Sequence, residues 1–160
     1  MSRISDGPGV LDHKIPPPVV GLSCAALAWV VSWSLPQFDF EWQLRVPVAV
    51  VLALLGAGID LWALLAFHSA RTTVNPLAPG RSSVVVTSGI YRVSRNPMYL
   101  GMALLLLAWC VFLGNPLAVM TVALFCAYIT RFQILPEERL LLAKFGAPYA
   151  RYLSEVRRWI

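Results

Sequence analysis

The sequence predicts an all-α integral membrane protein with about four transmembrane helices and a C-terminal interfacial helix. Its 160 residues are 58% hydrophobic and only 13% charged, whereas soluble domains average about 45–50% apolar and about 25% charged residues. The apolar residues also occur in long blocks, which are typical of segments that span a bilayer. The same composition excludes a disordered chain, which would be poor in hydrophobic residues.

The first two apolar blocks begin a single membrane domain, which we expect to comprise residues 1–160. A polar, proline-rich arm of residues 1–18 precedes blocks at 19–35 and 46–67, so the first two transmembrane helices fall within 19–68. A signal peptide is the competing interpretation of the first block. The arm has balanced charge, however, and no small-residue cleavage pattern follows the block.

Two further blocks, residues 98–113 and 117–129, are each shorter than the roughly 20 residues of a full span. Between them lie Gly114, Asn115 and Pro116. Asn115 is expected to cap the next helix, and Pro116 is expected to occupy its first position. A connection this short predicts an antiparallel helical hairpin.

The last predicted helix is the interfacial one. It opens at Pro136 and is divided by Gly146 and Pro148. After the division, four apolar side chains recur at the spacing of a helical stripe. They are Tyr149, Tyr152, Val156 and Trp159. We expect this stripe to lie on the membrane surface.

The distribution of charge predicts the topology. The arm has no net charge and residues 36–45 carry minus one, whereas residues 68–97 carry plus four and residues 130–160 carry plus three. With four spans, the N-terminus, the 68–97 loop and the C-terminal tail share one side of the membrane. The positive-inside rule identifies this side as cytoplasmic. The net charge of +5 is therefore interpreted as membrane anchoring, and no nucleic-acid partner is expected.

The chain contains few groups suited to acid–base or metal chemistry. Neither histidine has a cysteine or acidic partner at ligand spacing, so no metal site is expected. The three cysteines lie within apolar blocks and are interpreted as packing residues. Asp60 interrupts the second block. We expect it to hydrogen-bond to a neighbouring helix, in preference to a role on a substrate path.

Two polar clusters are the candidate sites, and the predicted topology places both on the cytoplasmic side. In the first, residues 89–99, Asn96 and Pro97 are expected to begin the third helix. The free N–H groups of this helix end, together with Arg92 and Arg95, would form an anion site. Anchoring of the arginines to lipid headgroups is an equally open interpretation.

The second cluster comprises residues 131–139 and contains the adjacent acids Glu137 and Glu138. Acids in the first turn of a helix stabilise its dipole, which explains much of this pattern. Two carboxylates just below a membrane helix also suit a cationic or hydroxyl-rich ligand. Both interpretations remain open.

The two clusters carry a family resemblance. The pattern TSGIYRVSRNPMYLG, followed by a hairpin and then PEERLLLAKFGAPYARYLSEVRRWI, resembles the isoprenylcysteine carboxyl methyltransferase family. That family belongs to a wider group of integral-membrane methyltransferases that includes phospholipid N-methyltransferases. The resemblance covers residues 71–160, with two separated motifs in the right order.

The resemblance implies that S-adenosylmethionine binds outside any Rossmann fold, in a cofactor-binding catalytic half at residues 69–160. The implied cofactor contacts, matched position by position, are Ser83, Val84, Val85, Val86, Tyr91, Asn96, Pro97, Met98, Tyr99 and Glu137. Within this set, Glu137 would hold polar groups of the cofactor, and Tyr91 and Tyr99 would pack its adenine or face its sulfonium.

The resemblance also implies substrate contacts. Gln133 stands where the isoprenylcysteine enzymes place a substrate-binding arginine, and Arg131 lies two residues earlier, so these two are the implied substrate-binding residues. Asn96 stands where many eukaryotic relatives have histidine. Because an amide does not titrate, no proton-transfer role is expected there.

The candidate catalytic residues are Arg95, as a contact for the acceptor's headgroup, and Glu138. The expected reaction is O-methylation of a carboxylate on a lipid-like or small amphipathic acceptor. A carboxylate attacks a sulfonium methyl group without a strong base, so the protein must mainly align the reactants and exclude water. One alternative is N-methylation of a phospholipid or other lipid amine, for which Glu138 would matter as a base. Another is a non-catalytic membrane module that binds lipid or a partner protein.

Overall fold

The structure, a computed structural model, describes residues 14–69 and 86–160, and these residues form helices and connecting turns without strands. The six α-helices are α1 (Pro17–Ser34), α2 (Arg45–Ser69), α3 (Pro97–Leu113), α4 (Met120–Ile129), α5 (Leu135–Phe145) and α6 (Ala147–Glu155). Three helical stretches are long and apolar enough to cross a membrane, namely Pro17–Ser34, Arg45–Ala66 and Pro116–Phe145, and α3 is a shorter apolar helix. The predicted fold class is confirmed.

The fourth membrane helix is longer than the sequence predicts. Residues Thr130–Ile134 form a π-helical turn that joins α4 to α5 without a break. Together with a short 3-10 turn before α4, they make one helical stretch of 30 residues, Pro116–Phe145. Pro136 lacks an N–H group and crowds the preceding turn of a regular helix. A wider π turn directly before it accommodates the proline without ending the helix.

The predicted turn residues have the expected local roles. Gly114 ends α3 in the left-handed conformation, with φ of 79°. Asn115 caps the following turn, since its side-chain oxygen accepts a hydrogen bond from the backbone N–H of Leu117 over 3.0 Å. Gly146, with φ of 60°, separates α5 from α6 as predicted.

Helices α2 and α3 are in backbone contact through a pair of glycines. A Cβ atom placed on Gly101 would lie 2.8 Å from the carbonyl oxygen of Gly56, and it would overlap the carboxylate of Asp60. Small residues allow membrane helices to approach this closely. The glycines therefore determine how α2 crosses α3, and they place Asp60 against α3 one turn further along α2.

One end of the bundle joins the loop after α1 to the turn after α3. The side-chain amide of Asn115 donates to the carbonyl of Leu35 over 3.0 Å and to the carboxylate of Asp39 over 2.8 Å. The backbone N–H of Phe40 donates to the carbonyl of Gly114 over 2.8 Å. These contacts align the ends of α1 and α3 on the same side.

The opposite end gathers the other polar segments. The amide of Gln133 donates to the carbonyl of Ile15 over 2.8 Å, and the N–H of Arg95 donates to the carbonyl of Arg157 over 3.0 Å. The segment before α1, the segment before α3 and the residues after α6 therefore meet at one end of the bundle. Such an arrangement results when successive helices run in alternating directions.

The apolar stripe of the C-terminal segment contacts the protein. Tyr149 and Tyr152 are buried, and the Tyr152 hydroxyl donates to the carbonyl of Tyr91 over 2.7 Å. Trp159 packs against the core between α1, α3 and α4, and its indole N–H donates to the Thr130 hydroxyl over 3.2 Å. These residues of the stripe therefore pack on the protein, because the start of α3 and the π turn supply apolar and hydrogen-bonding partners. The position of the segment at the membrane surface stays a prediction.

Replacement of Gly101 with alanine should destabilise the bundle, because the new Cβ would meet the Gly56 carbonyl and the Asp60 carboxylate. We expect a loss of about 1–3 kcal/mol in the free energy of unfolding, as for other overpacked interiors. Gly58→Ala is the matched control, since nothing lies within 4 Å of a Cβ at that position. Thermal unfolding in detergent micelles measures both effects. Equal stability of the two variants would contradict the close contact.

Candidate functional site

The two polar clusters of the sequence are joined directly by a hydrogen bond. The hydroxyl of Tyr99, near the start of α3, donates to the Oε1 atom of Glu137 on α5 over 2.8 Å. Tyr99 is buried and Glu137 is half-buried. The expected juxtaposition of the clusters is therefore confirmed, whereas the roles of their residues toward a ligand stay predictions.

Glu137 has no free helix end to stabilise. Because the helix continues from α4 through the π turn into α5, the N–H groups near Glu137 are not those of an isolated helix N-terminus. The dipole interpretation of this acid therefore loses its basis. Tyr99 is its hydrogen-bond donor within the described residues, and this bond uses only one of the two carboxylate oxygens.

The adjacent acid, Glu138, has a different environment. Its oxygens accept two hydrogen bonds from Arg158, from Nε to Oε1 over 3.0 Å and from Nη2 to Oε2 over 2.8 Å. The Nη2 atom of Arg95 lies 3.3 Å from the same Oε1 atom. The hydrogen bond to Glu138 is the main reason why the pKa of Arg158 is raised. The two predicted catalytic residues, Arg95 and Glu138, thus form an ion pair with each other, and Glu138 also binds Arg158.

The residues after α6 lie across the start of α3, and we call residues 156–160 the tail. The side-chain amide of Asn96 donates to the carbonyl of Arg158 over 3.0 Å, next to the bond between the Arg95 N–H and the Arg157 carbonyl. Asn96 occupies the predicted cap position before Pro97, but its side chain makes no capping hydrogen bond. Its amide holds the tail instead. The backbone N–H of Asn96 is bound by the Ser94 hydroxyl over 3.1 Å.

Three of the other predicted cofactor residues form an apolar cluster on α2. Val86 and Tyr91 are buried against Ala63, and Met98 packs beside them. Burial raises the pKa of Tyr91 above its usual range, and the nearby Tyr152, Glu137 and Asp60 raise it further. Tyr91 therefore lies within electrostatic reach of an acid on α2 and an acid on α5. The predicted contacts Ser83, Val84 and Val85 lie outside the described residues.

Tyr152 supports this cluster from α6. Burial raises its pKa to about 12, although the positive charge of Arg95 acts in the opposite direction. The hydroxyl therefore remains protonated near neutral pH and continues to donate to the Tyr91 carbonyl. This bond fixes the position of the Tyr91 backbone.

The two predicted substrate residues have contrasting environments. Gln133 is completely buried, its amide nitrogen is bound by Ile15, and its Oε1 atom has no partner within the described residues. Arg131 is exposed, and its guanidinium lies 5.4 Å from the centroid of the Phe132 ring. A substrate-binding role for either residue stays a prediction.

The sequence did not predict Arg158 as part of this site. The last four residues, RRWI, contain two adjacent arginines. Nothing in their spacing distinguishes an arginine that pairs with Glu138 from one that faces solvent. In the parts of the chain that the structure describes, no group of three His, Cys, Asp or Glu side chains is arranged to hold a metal ion.

Two comparisons place the chain among known proteins. The sequence model of a family described as phospholipid methyltransferase matches residues 44–148, which are more than half of the chain and include both polar clusters. An uncharacterised protein of Haemophilus influenzae is 51% identical over 63 residues, which are 39% of this chain and the whole of that relative.

The ion pair between Glu138 and Arg158 should stabilise the tail. We expect Arg158→Ala to lower the unfolding temperature in detergent by about 2–8 °C, which corresponds to roughly 1–2 kcal/mol for hydrogen bonds to a partly exposed charged group. Arg157→Ala is the control, because the exposed neighbour contributes its backbone carbonyl and keeps it in the variant.

A double-mutant cycle tests the pairing directly. The double variant Glu138→Ala with Arg158→Ala should lose less stability than the sum of the single variants, because the second substitution removes a bond that the first has already broken. Strict additivity would show that the two side chains do not interact in solution.

Proposed function

The chain belongs to the phospholipid methyltransferase family, and we propose that it transfers a methyl group from S-adenosylmethionine to a lipid-like or small amphipathic acceptor at the membrane. The observation that carries this proposal is the hydrogen bond between Tyr99 and Glu137. It brings together the two segments that the family resemblance assigns to the cofactor. It does so at the end of the bundle where the polar segments meet.

The residues at this site suit the cofactor. Glu137 has one carboxylate oxygen without a partner in the described residues, which is an acceptor for hydroxyl or amino groups. The buried Nε atom of Arg95 also has no partner there and is a donor for a carboxylate. The aromatic ring of Tyr91 offers a flat surface for adenine or a face for a cation. S-Adenosylmethionine would supply a methyl group activated by its sulfonium.

The chain's own contribution is orientation and exclusion of water. Tyr99 holds the Glu137 carboxylate in place, and Tyr152 holds the backbone of Tyr91. The ion pairs of Glu138 keep the tail over the start of α3, on the side where water would enter. Positioning of this kind lowers the barrier of a displacement reaction by several kcal/mol when the reacting atoms are aligned. The acceptor would enter from the bilayer between helices.

The charge of the site favours an amine as the methyl acceptor. Glu138 is neutralised by two arginines, and this ion pair also compensates the charge of Arg95, whereas no cation is paired with Glu137 within the described residues. A surplus acid attracts an ammonium group and repels a carboxylate. N-methylation of a lipid amine is therefore favoured over the O-methylation that the sequence put first. The exposed Arg131 supports the carboxylate acceptor as the second candidate.

We further propose that residues 1–160 form a single membrane domain, in which residues 69–160 are the catalytic half. The N-terminus, the 68–97 loop and the C-terminal tail would be cytoplasmic. Contacts between Ile15 and Gln133 and between Arg95 and Arg157 place parts of all three segments at one end of the bundle. The basic charge of these segments supports the cytoplasmic assignment.

Cofactor binding tests the proposed activity. The purified protein should bind S-adenosylhomocysteine, and Glu137→Ala should weaken binding at least about tenfold, which corresponds to the loss of one hydrogen bond to a charged group. Glu155→Ala, at an exposed acid of the same end, should leave the affinity unchanged. Isothermal titration calorimetry measures the affinity of the wild type and of both variants for S-adenosylhomocysteine. No affinity in the wild type would favour the non-catalytic module, and wild-type affinity in Glu137→Ala would remove this residue from the site.

Labelling of introduced cysteines tests the orientation. In a background without the three native cysteines, Glu41→Cys should react with a membrane-impermeant maleimide in intact cells. Ser154→Cys should react only after permeabilisation, because the positive-inside rule places the basic end in the cytoplasm. The opposite pattern of labelling would reverse the proposed topology.

A further inference from the structure

Asp60 is a carboxylate within the membrane-spanning helix α2. Its Oδ1 atom is buried and makes no hydrogen bond, and no ion pair joins Asp60 to another described residue. The expected hydrogen bond to a neighbouring helix is therefore absent from this part of the chain. Unpaired acids at membrane depth are costly and commonly face a ligand path or a bundle interior.

The structure holds this carboxylate in a defined place. Gly101 has no Cβ atom, and the space that a Cβ would need is taken by the Asp60 carboxylate. The contact between Gly56 and Gly101 one turn away fixes the two helices against each other. Asp60 thus lies beside the first turns of α3, only about 3 Å along the helix axis from the level of Tyr99.

The position of Asp60 relates it to the proposed methyltransferase site. Residues 99 and 101 point to different sides of α3, so Glu137 and Asp60 flank the beginning of this helix. Tyr91 lies within electrostatic reach of both acids. On α2, the residues that follow Asp60 include Leu61, Trp62, Leu64 and Leu65, which are exposed and would face lipid. These side chains would form the lipid-facing side of α2 next to the face that carries Asp60.

We propose that Asp60 binds the amino group of the methyl acceptor, an inference that rests on the proposed function. The ammonium group of an amine-bearing lipid forms an ion pair with the carboxylate and transfers one proton to it. The N–H bond breaks, an O–H bond forms on Asp60, and the electron pair that remains on nitrogen would form the new N–C bond. The S–CH3 bond of S-adenosylmethionine would break in the same step, and S-adenosylhomocysteine would leave with its electron pair. After methylation the product carries the positive charge, and the proton leaves Asp60 for water.

Lipid binding by the purified, full-length protein tests this role without requiring turnover. Wild type should bind short-chain phosphatidylethanolamine more tightly than phosphatidylglycerol, which has no amine. Asp60→Asn should weaken binding of the amine lipid at least about tenfold, because the neutral amide cannot form the ion pair. Its affinity for S-adenosylhomocysteine should be unchanged. Asp60→Glu should restore most of the lipid binding, and Glu155→Gln is the control for loss of an exposed acid.

A second measurement requires no variant. A hydrophobic carbodiimide should modify Asp60 in the wild-type protein, and saturating phosphatidylethanolamine should slow this modification at least about fivefold, as followed by peptide mass spectrometry. Phosphatidylglycerol should not slow it. If the amine lipid gives no protection, or if Asp60→Asn retains full lipid binding, the role of Asp60 is overturned. Wild-type protein that does not bind S-adenosylhomocysteine would instead refute the proposed function itself.

Discussion

The hydrogen bond between Tyr99 and Glu137 is the contact on which the candidate site depends, because it joins the first turn of α3 directly to α5. Its geometry is set by the unbroken helix from Pro116 to Phe145. The π turn carries the chain past Pro136 and places Glu137 beside α3. A regular break at this proline would leave the direction of α5 free. The site therefore depends on a local irregularity in a membrane helix.

Because the helix is continuous, the adjacent acids Glu137 and Glu138 have different environments. Glu138 is bound by Arg158 and Arg95, so its charge is used to hold the tail. Glu137 receives one neutral donor and keeps an oxygen for a ligand. Successive residues of a helix point about 100° apart, which is sufficient to separate an acid in an ion pair from the acid that is proposed to bind a ligand. Of these two adjacent acids, only Glu137 has no cationic partner among the described residues, and this asymmetry supports the proposed amine acceptor.

The apolar composition of the blocks and the positions of proline and glycine predicted the helices well. The start of α3 at Pro97 and its end at Gly114 follow from local steric rules that act within a few residues. The π turn was not predictable, because it depends on how the backbone relaxes around Pro136 when its neighbours pack. The partner of Asn96 was missed for another reason. Its amide binds a carbonyl 62 residues away, and no local pattern encodes such a distance. Likewise, Tyr152 and Trp159 donate hydrogen bonds to the Tyr91 carbonyl and the Thr130 hydroxyl, which lie far away in the sequence.

The tail is held partly through its main chain. Arg95 and Asn96 donate to the carbonyls of Arg157 and Arg158, and the side chain of Arg157 is exposed. A hydrogen bond to a backbone carbonyl does not depend on the side chain of the residue that carries it. Substitutions at position 157 are therefore expected to be evolutionarily permissive. A single-residue deletion in α6 would be much more damaging, since it would offset every one of these pairings and move Arg158 away from Glu138.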